Sequence, residues 1–349
     1  MTTRREWLGQ ATAAVLAASG SARGLRAMQA GVVQTVLGPV DAGRLGYTLP
    51  HEHIAASSTG FIQAWPEFFG GREKFVALVV DKLKTAKAEG VGTIVDVTPI
   101  DVGRDVRLLE EVSRKSGVHI VAATGHWISP SLSMSARTLE ELTRFFTLEI
   151  QRGIEGTGIK PGIIKVATDK DGVTPFVDKV LRAAARTSKA TGVPITTHTL
   201  ASERTGEKQA DIFEQEGASP SHVCLGHCDD SKDLDYLTGL LKRGYTLGMD
   251  HLTWGTRQGA GILTWQERAA TVKQLVDAGY AKQLFLSNDW YFGISMAPSG
   301  VMDALDKMNP DGMLFSTRKV IPYLRQLGVT DQDIRSMTVE NLRRFLAVR

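Results

Sequence analysis

Short apolar stretches alternate with longer amphipathic ones along most of this chain. The apolar stretches are rich in β-branched residues and occupy residues 46–54, 92–100, 119–127, 162–168, 194–199, 222–230, 246–252 and 283–290. Such stretches, when bounded by turn-forming residues, are typical of buried strands. The pattern therefore predicts eight strands.

Several segments between these stretches repeat apolar residues with the period of an α-helix. Residues 72–90, REKFVALVVDKLKTAKAEG, place their apolar side chains on one face, and Gly90 is suited to end the helix. Comparable patterns occupy residues 105–117, 138–153, 175–192 and 266–279. These segments predict helices that connect the strands.

Strict alternation of strand and helix favours a parallel sheet with crossover helices. Eight such units close a barrel, so we expect an α/β fold, a single (β/α)8 TIM barrel over residues 30–349. An open, doubly wound sheet is the alternative, but it calls for a glycine-rich phosphate turn after the first strand. The sequence there is HEHIAASSTG, which is not such a turn.

Composition fits a folded protein and gives no sign of nucleic-acid binding. The 349 residues are 42% hydrophobic and 23% charged, and the formal net charge is +3. A balance this close to neutral does not imply a nucleic-acid partner. Cys224 and Cys228 are too few and too close in sequence for a disulfide framework, so we expect both to be packing residues.

The first residues have the features of an export signal. Arg4 and Arg5 precede an uncharged stretch, residues 7–22, that ends in small residues. We interpret residues 1–29 as a twin-arginine signal peptide and leader, which predicts a periplasmic protein. A membrane anchor is disfavoured because the stretch is shorter than the roughly 20 apolar residues of a membrane span.

Polar side chains end most of the predicted strands. They are His51, His53, Lys165, His198, His227 and Asp289. In a (β/α)8 barrel the carboxyl ends of the strands form the active-site face. His51 and His53 share one face of their strand, while Glu52 points away, because side chains alternate along a strand. The set predicts a metal site at the barrel mouth.

Each of these residues has a structural alternative. Two histidines one residue apart are often satisfied or surface groups, and a lysine within GIIKVAT is often ion-paired in the core. His198 and His227 are each followed by small polar residues and could cap helices. The joint occurrence of metal-binding side chains at the same end of five strands favours the metal site.

The remaining histidines are placed differently. His119 and His222 begin their strands, at the opposite end of the barrel, and we expect them to be structural. His126 lies at the predicted mouth beside Trp127 and is a candidate for the pocket lining rather than for a metal ligand.

Lys165 requires a chemical change to join a metal site, because an ammonium group donates hydrogen bonds and repels cations. Carbamylation by carbon dioxide converts it to N6-carboxylysine, an anionic carboxylate that can bridge two divalent cations. A two-metal site lowers the pKa of bound water and polarises a substrate oxygen. Nitrogen and oxygen ligands of this kind suit Zn2+, with Co2+ or Mn2+ as alternatives.

These residues resemble the bacterial phosphotriesterases of the amidohydrolase superfamily. The resemblance extends from about Val32 to Leu346 and rests on HEHI, GFIQAWPEFFG, TIVDV, IVAATGHW, GIIKVAT, TTHT, LGHCDD, MDH, SNDW and MNPDGM. It implies a binuclear zinc-dependent hydrolase of the aryldialkylphosphatase type, in which a hydroxide bridging two divalent metals attacks the phosphorus of an organophosphate triester. It also implies a homodimer.

The resemblance gives each candidate residue a role. It implies separate ligands for two metals and a bridge between them: His51, His53 and Asp289 for the first metal, His198 and His227 for the second, and carbamylated Lys165 as the bridge. It further implies a proton path from Asp289 through His251 to Asp230.

The sequence departs from the best-known phosphotriesterase around the substrate. The segment after the seventh strand is shorter, and only Trp127 keeps the aromatic character of the leaving-group pocket, with Ile128, Ile294 and Ala297 at other positions. Trp254 and Tyr291 add aromatic bulk elsewhere on the rim. The expected pocket residues are Val102, Trp127, Trp254, Tyr291 and Ile294.

Three functions are compatible with this site, all of them directed at a small molecule. Triester hydrolysis is favoured by the tryptophan in SNDW and by His251, because the lactonase branch usually has tyrosine and arginine at these two positions. A lactonase or carboxylic esterase is the main alternative, and the shorter loop favours it. A non-catalytic periplasmic binding barrel is disfavoured, because none of the expected ligands is missing.

Overall fold

The structure is a computed structural model that describes residues 31–256, 261–296 and 300–348. Its strands are β1 (Val32–Thr35), β2 (Gly38–Asp41), β3 (Tyr47–Glu52), β4 (Val91–Asp96), β5 (His119–Gly125), β6 (Ile163–Ala167), β7 (Ile195–His198), β8 (Val223–Leu225), β9 (Thr246–Met249) and β10 (Leu284–Leu286). Strands β3 to β10 form one sheet in chain order, and every adjacent pair is parallel. The predicted (β/α)8 barrel is confirmed.

Helices follow the strands as the sequence pattern predicts. They are α1 (Phe61–Ala64), α2 (Arg72–Ala88), α3 (Val106–Ser116), α4 (Leu132–Ser135), α5 (Leu139–Arg152), α6 (Pro175–Thr191), α7 (Thr205–Gln215), α8 (Leu234–Lys242), α9 (Trp265–Asp277), α10 (Val301–Met308), α11 (Ile321–Gln326), α12 (Asp331–Arg335) and α13 (Asn341–Leu346). Short 3-10 segments occupy several strand-to-helix connections. The five helices predicted from apolar period are α2, α3, α5, α6 and α9.

Local sequence explains where these helices begin and end. The Thr174 hydroxyl caps the start of α6, and Gly192 ends it with a left-handed backbone, φ 75°. Helix α9 begins with a capping box, in which the side chains of Thr264 and Glu267 each accept a hydrogen bond from the backbone of the other. Gly90, predicted to end α2, follows it with φ 98°.

The barrel closes between its first and last strands through loop backbone. The Asp289 amide donates to the His51 carbonyl at 3.0 Å, and the His53 amide donates to the Trp290 carbonyl at 2.8 Å. His53 and Tyr291 pair as an isolated parallel bridge. Closure therefore brings the end of β3 and the segment after β10 into direct contact at the mouth.

An amino-terminal hairpin, β1 with β2, was not predicted. Both strands have only four residues, with one exposed position in β1 and two in β2, so they contain no long apolar stretch. Val33 is buried in one cluster with Val121 of β5 and Phe345 of α13. The hairpin thereby joins the barrel to the last helix.

Two other expectations concern single residues and the amino terminus. Cys224 and Cys228 are buried and unbonded, which confirms them as packing residues. The proposed signal peptide, residues 1–29, lies outside the described residues, as does Ala297. Among the helices that the structure describes, none is long and apolar enough to cross a membrane.

Candidate metal centre

A cavity of about 390 Å³ opens at the carboxyl ends of the barrel strands. Its lining includes every residue expected to bind a metal or to move a proton: His51, His53, Lys165, His198, His227, Asp230, His251 and Asp289. These residues come from six different strands or the loops that follow them. The structure therefore brings together side chains that are up to 238 positions apart in sequence.

The strands end earlier than the sequence pattern predicts, and three of the metal-binding candidates, His53, His227 and Asp289, lie beyond the strand ends. Strand β8 ends at Leu225 and β10 at Leu286, so His227 and Asp289 occupy loop positions. Both have left-handed backbones, with φ 60° and 50°, which few non-glycine residues adopt. Such strain persists only where surrounding contacts enforce it, and it is concentrated at functional sites.

The central contacts of the site join β3, the first strand of the barrel, to β6 and to the segment after β10. Lys165 Nζ lies 2.7 Å from His51 Nε2. Asp289 Oδ1 lies 3.2 Å from His53 Nε2 and 3.8 Å from His51 Nε2. One ligand atom from each of His51, His53 and Asp289 fits within a 4.8 Å cluster, which is compact enough to hold a metal ion.

The second pair of histidines lies across the cavity. The rings of His198 and His227 are 4.3 Å apart between centroids, and His227 stands 4.8 Å from His51. Gly125 pairs with Lys165 in the β5–β6 ladder, and Ala167 pairs with His198 in the β6–β7 ladder. Strand register thus fixes the relative height of the lysine and of His198.

Burial sets the protonation of these imidazoles. Desolvation lowers the pKa of His51 to about 3, with the Lys165 charge adding to the effect. Burial also lowers the pKa of His227 and takes the pKa of His198 well below its usual value. Neutral imidazole is the form that binds metals. Burial lowers the pKa of Lys165 to about 8, although Asp289 and Asp250 act in the opposite direction.

Asp250 is a buried carboxylate that the sequence analysis did not select. Its Oδ2 lies 2.8 Å from His51 Nδ1, and its Oδ1 lies 2.8 Å from His227 Nδ1. The His227 amide also donates to Oδ1 at 2.7 Å, which supports the left-handed backbone there. The signal in sequence is the position of Asp250 immediately after β9, directly before His251.

Glu52, predicted to point away from the metal face, holds the loop that carries Asp289. Its carboxylate accepts hydrogen bonds from the Ser287 hydroxyl and the Asn288 amide nitrogens at 2.7–3.1 Å, and from the Trp290 amide at 2.9 Å. Burial raises the pKa of Glu52 to about 8, while these hydrogen bonds act to lower it. Glu52 therefore orients Asp289 from behind.

His251 connects Asp289 to the outer carboxylates. Its Nε2 lies 3.2 Å from Asp289 Oδ2, and its Nδ1 lies 2.8 Å from Asp230 Oδ2. Burial disfavours the imidazolium, but Asp230 and Asp289 outweigh it and raise the pKa of His251 to about 10. The three residues form a continuous chain of hydrogen-bonding contacts from the cavity outward.

Arg268 anchors the outer end of this path, and the sequence analysis did not select it. Its guanidinium contacts Asp230 directly and lies 3.4 Å from Asp229 Oδ2. Asp229 Oδ1 in turn accepts hydrogen bonds from the backbone amides of Asp250 and His251, at 3.0 and 3.1 Å. The arginine and Asp229 therefore position the backbone that presents both Asp250 and His251.

The wall of the cavity agrees with four of the five expected pocket residues. Val102, Trp127, Trp254 and Tyr291 line it, together with Ile262 and Met296. The expectation for Ile294 is not met, because it is not among the lining residues. The physical reason is that its segment is tied to Ala56, through a parallel bridge and hydrogen bonds from Ala56 to Gly293 and from Ser295 to Ala56.

The three histidines that were expected neither to bind a metal nor to move a proton lie away from the cavity. His126 is fully buried behind the wall, edge-on to Phe176, and is not among the lining residues. Its Nδ1 lies 3.3 Å from Asp101, whose carboxylate also accepts the Trp127 amide at 3.0 Å. His119 opens β5 and His222 immediately precedes β8, so both lie at the opposite end of the barrel, as expected.

A (β/α)8 barrel with neutral imidazoles, a buried lysine and a carboxylate at its mouth defines a class of protein, one able to hold divalent cations beside a substrate cavity. Comparison with protein families then gives the family. A model of the phosphotriesterase family matches residues 31–346, and the chain belongs to that family.

Relatives and solved structures agree with this assignment. The chain is 39% identical over 333 residues to the phosphotriesterase homology protein of Mycobacterium tuberculosis, covering 90% of this chain and 97% of the relative. It is 33% identical over 312 residues to the aryldialkylphosphatase of Saccharolobus solfataricus, covering 88% and 97%. A solved phosphotriesterase structure from M. tuberculosis superposes with a TM-score of 0.84 at 37% identity, covering 90% and 98%.

More distant relatives have another named activity. The chain is 24% identical over 353 residues to the N-acetyltaurine hydrolase of Xenopus tropicalis, covering 91% of this chain and 99% of that protein. The relatives thus include hydrolases with chemically different substrates.

Proposed function

We propose that this protein hydrolyses organophosphate triesters, in particular aryl dialkyl phosphates, with the help of two divalent cations. The observation that supports this most strongly is the convergence of six metal-binding candidates on one cavity: His51, His53, Lys165, His198, His227 and Asp289. Family membership and the relative named aryldialkylphosphatase support the same reaction.

The residues present fit a pair of cations. The Nδ1 atoms of His51 and His227 lie on Asp250, and Nδ1 of His53 lies 2.8 Å from Thr98 Oγ1, so each ring keeps its Nε2 for the cavity. Imidazole nitrogens with carboxylate oxygens are ligands that suit Zn2+. His51, His53 and Asp289 would hold one cation, and His198 and His227 the other.

Lys165 would bridge the two positions after carbamylation to N6-carboxylysine. Lys165 is 3% exposed, and its Nζ lies 2.7 Å from His51 Nε2, within the cavity that His198 and His227 also line. A buried ammonium beside neutral imidazoles is costly, because desolvation disfavours the charge. A carbamate replaces that cation with an anion, which two cations would neutralise.

Other residues of the cavity would transfer protons and bind the substrate. Two bound cations would supply a lowered pKa for water and polarisation of the phosphoryl oxygen. His251 lies between Asp289 and Asp230, where it can take a proton from the cavity and pass it outward. Trp127 and Trp254 form apolar surface that would pack against the aryl and alkyl groups of the ester and exclude water.

A lactonase or carboxylic esterase is the second candidate, and one contact favours it. The Tyr291 hydroxyl lies 3.5 Å from Asp289 Oδ2, and its ring stacks on His53 at 4.6 Å between centroids. This contact places a phenol hydroxyl beside Asp289 at the edge of the cavity, and the lactonase proposal would have that hydroxyl donate to an oxygen of the lactone. Trp290, which follows Asp289, is buried behind the site and does not line the cavity.

The two candidates are separated by comparing kcat/KM of zinc-loaded protein for an aryl dialkyl phosphate and for a matched aryl lactone. Triester hydrolysis predicts a preference for the phosphate of about ten-fold or more, about 1.4 kcal/mol of transition-state discrimination. A chelator should lower both rates, because both reactions would need the bound cations. A preference for the lactone would contradict the triester proposal and support the second candidate.

We further propose a homodimer, which the family resemblance implies. An exposed aromatic cluster supports it: Trp65 and Phe68 are 55% and 69% exposed, and both rings contact Phe61, at 5.2 and 5.1 Å between centroids. Exposed aromatic patches of this kind commonly mark protein interfaces. We propose that a second copy of the chain covers this aromatic patch.

We also propose that the protein is exported to the periplasm through the twin-arginine pathway, with residues 1–29 as the signal. This proposal rests on the arginine pair and the uncharged stretch that follows it.

A further inference from the structure

We infer that Asp250 couples the two proposed cation positions by holding one histidine of each through a single carboxylate. The inference rests on the proposed binuclear centre and adds to it a positioning residue whose role no sequence motif assigned. It concerns how the two sites depend on each other, not how the substrate reacts.

Each oxygen of the Asp250 carboxylate accepts a hydrogen bond from a different histidine. Asp250 Oδ2 accepts from His51 Nδ1 at 2.8 Å, and Oδ1 accepts from His227 Nδ1 at the same distance. The three side chains are all 1–2% exposed, so no water competes for these bonds. Because Nδ1 carries the hydrogen in each ring, Nε2 keeps its lone pair. For His51 that atom faces the cavity beside Lys165.

His53 provides the internal contrast. Its Nδ1 lies 2.8 Å from Thr98 Oγ1, and Asp250 does not enter that contact. His53 shares the first proposed cation with His51, so one position has a ligand that depends on Asp250 and a ligand that does not. A change at Thr98 should therefore act on one cation, whereas a change at Asp250 should act on both.

Two glycines leave the space that this carboxylate occupies. A Cβ atom at Gly248 would lie 2.3 Å from Asp250 Oδ2, and one at Gly226 would lie 3.2 Å from it. The backbone amide of Asp250 is fixed by Asp229 at 3.0 Å. The carboxylate therefore packs closely against Gly226 and Gly248, with its backbone amide anchored by Asp229.

A shared, closely packed acceptor makes the two positions interdependent. His227 polarised by a bound cation would donate more strongly from Nδ1 to Asp250 Oδ1. The carboxylate would then be held more firmly and would orient His51 for the other cation position. Partners of this type typically change metal affinity by about 10- to 100-fold when they are removed.

The test is Asp250→Asn, with zinc binding as the readout. An asparagine side chain accepts from one ring but presents N–H to the other, which forces the second histidine into the tautomer whose Nε2 carries a hydrogen. We expect both equivalents of Zn2+ to bind about 10-fold or more weakly than in the wild type, measured by titration of metal-free protein against a competing chelator. Thr98→Val is the matched control and should weaken one equivalent only.

A second variant keeps the inference testable if Asp250→Asn does not fold by circular dichroism. Gly248→Ala retains the charge but displaces Oδ2, and it should also weaken both equivalents. Weakening of one equivalent or of none in these variants would overturn the coupling. A wild type that binds fewer than two equivalents would instead overturn the proposed binuclear centre and the coupling with it.

Discussion

Side chains in this site have orientations that buried partners enforce. His227 and Asp289 both adopt left-handed backbones, and each has a carboxylate beside it, Asp250 for the first and Glu52 for the loop of the second. The cavity-lining candidates were predictable, because a histidine or lysine within an apolar strand is costly to bury unless it has a partner. Glu52 and Asp250 were not, because their partners are far away in sequence and only the folded barrel brings them together.

The bridging role proposed for Lys165 can be tested by Lys165→Ala. We expect loss of most of the activity and of bound metal, because the variant removes the proposed bridge and leaves both cations with fewer ligands. The measurement is kcat/KM on an aryl dialkyl phosphate together with the zinc content of the purified protein. Lys84→Ala on the exposed face of α2 is the control and should match the wild type. Unchanged activity and zinc content in Lys165→Ala would exclude the bridge.

At the scale of elements, strand register and turns decide which residues reach the mouth. The alternation of apolar and amphipathic stretches was sufficient to predict the eight barrel strands and five of the helices. It placed the ends of β8 and β10 too late, because residue type does not reveal that the backbone leaves the strand conformation and becomes left-handed at His227 and Asp289. It missed the β1–β2 hairpin, since strands of four residues with exposed positions have no distinctive period.

Gly125 provides a test of this register. A Cβ atom there would lie 2.0 Å from the Lys165 carbonyl, in a backbone with φ 114°, whereas Gly38 has a similar φ of 104° with no atom within 4 Å. Gly38→Ala should cost only the backbone strain, about 1–2 kcal/mol. Gly125→Ala should cost a further 1–3 kcal/mol or so from the clash, and should also reduce zinc binding because β6 is displaced.

Urea unfolding of both glycine variants, in the presence and absence of zinc, measures these losses. Equal destabilisation of Gly125→Ala and Gly38→Ala would show that the close approach of β5 to β6 at Lys165 does not matter for stability.

At the scale of the whole molecule, the surface contains features that the barrel itself does not need. The loop with Trp65 and Phe68 exposes large aromatic side chains, whereas the resemblance implies a homodimer without locating its interface. Sequence could not locate the interface, because GFIQAWPEFFG reads equally well as a buried aromatic cluster. Its exposure became apparent only from the fold.

Phe68→Glu tests the proposed interface. A charge at a side chain that is 69% exposed should not disturb folding, but it should weaken a dimer that buries this patch, because an unpaired charge is costly to desolvate. We expect a shift from dimer to monomer in sedimentation velocity. Leu234→Glu on α8, at a side chain that is 37% exposed, is the control and should leave the assembly unchanged. A dimer of undiminished stability in Phe68→Glu would place the interface elsewhere.

The most direct test of the proposed function is a zinc titration of metal-free protein with bicarbonate present, followed by the rate of aryl dialkyl phosphate hydrolysis. The arrangement of four histidines, Lys165 and Asp289 predicts negligible hydrolysis without metal and a rate that reaches its plateau at two equivalents of zinc per chain. Full activity in the metal-free protein, or no triester hydrolysis once two equivalents are bound, would contradict it.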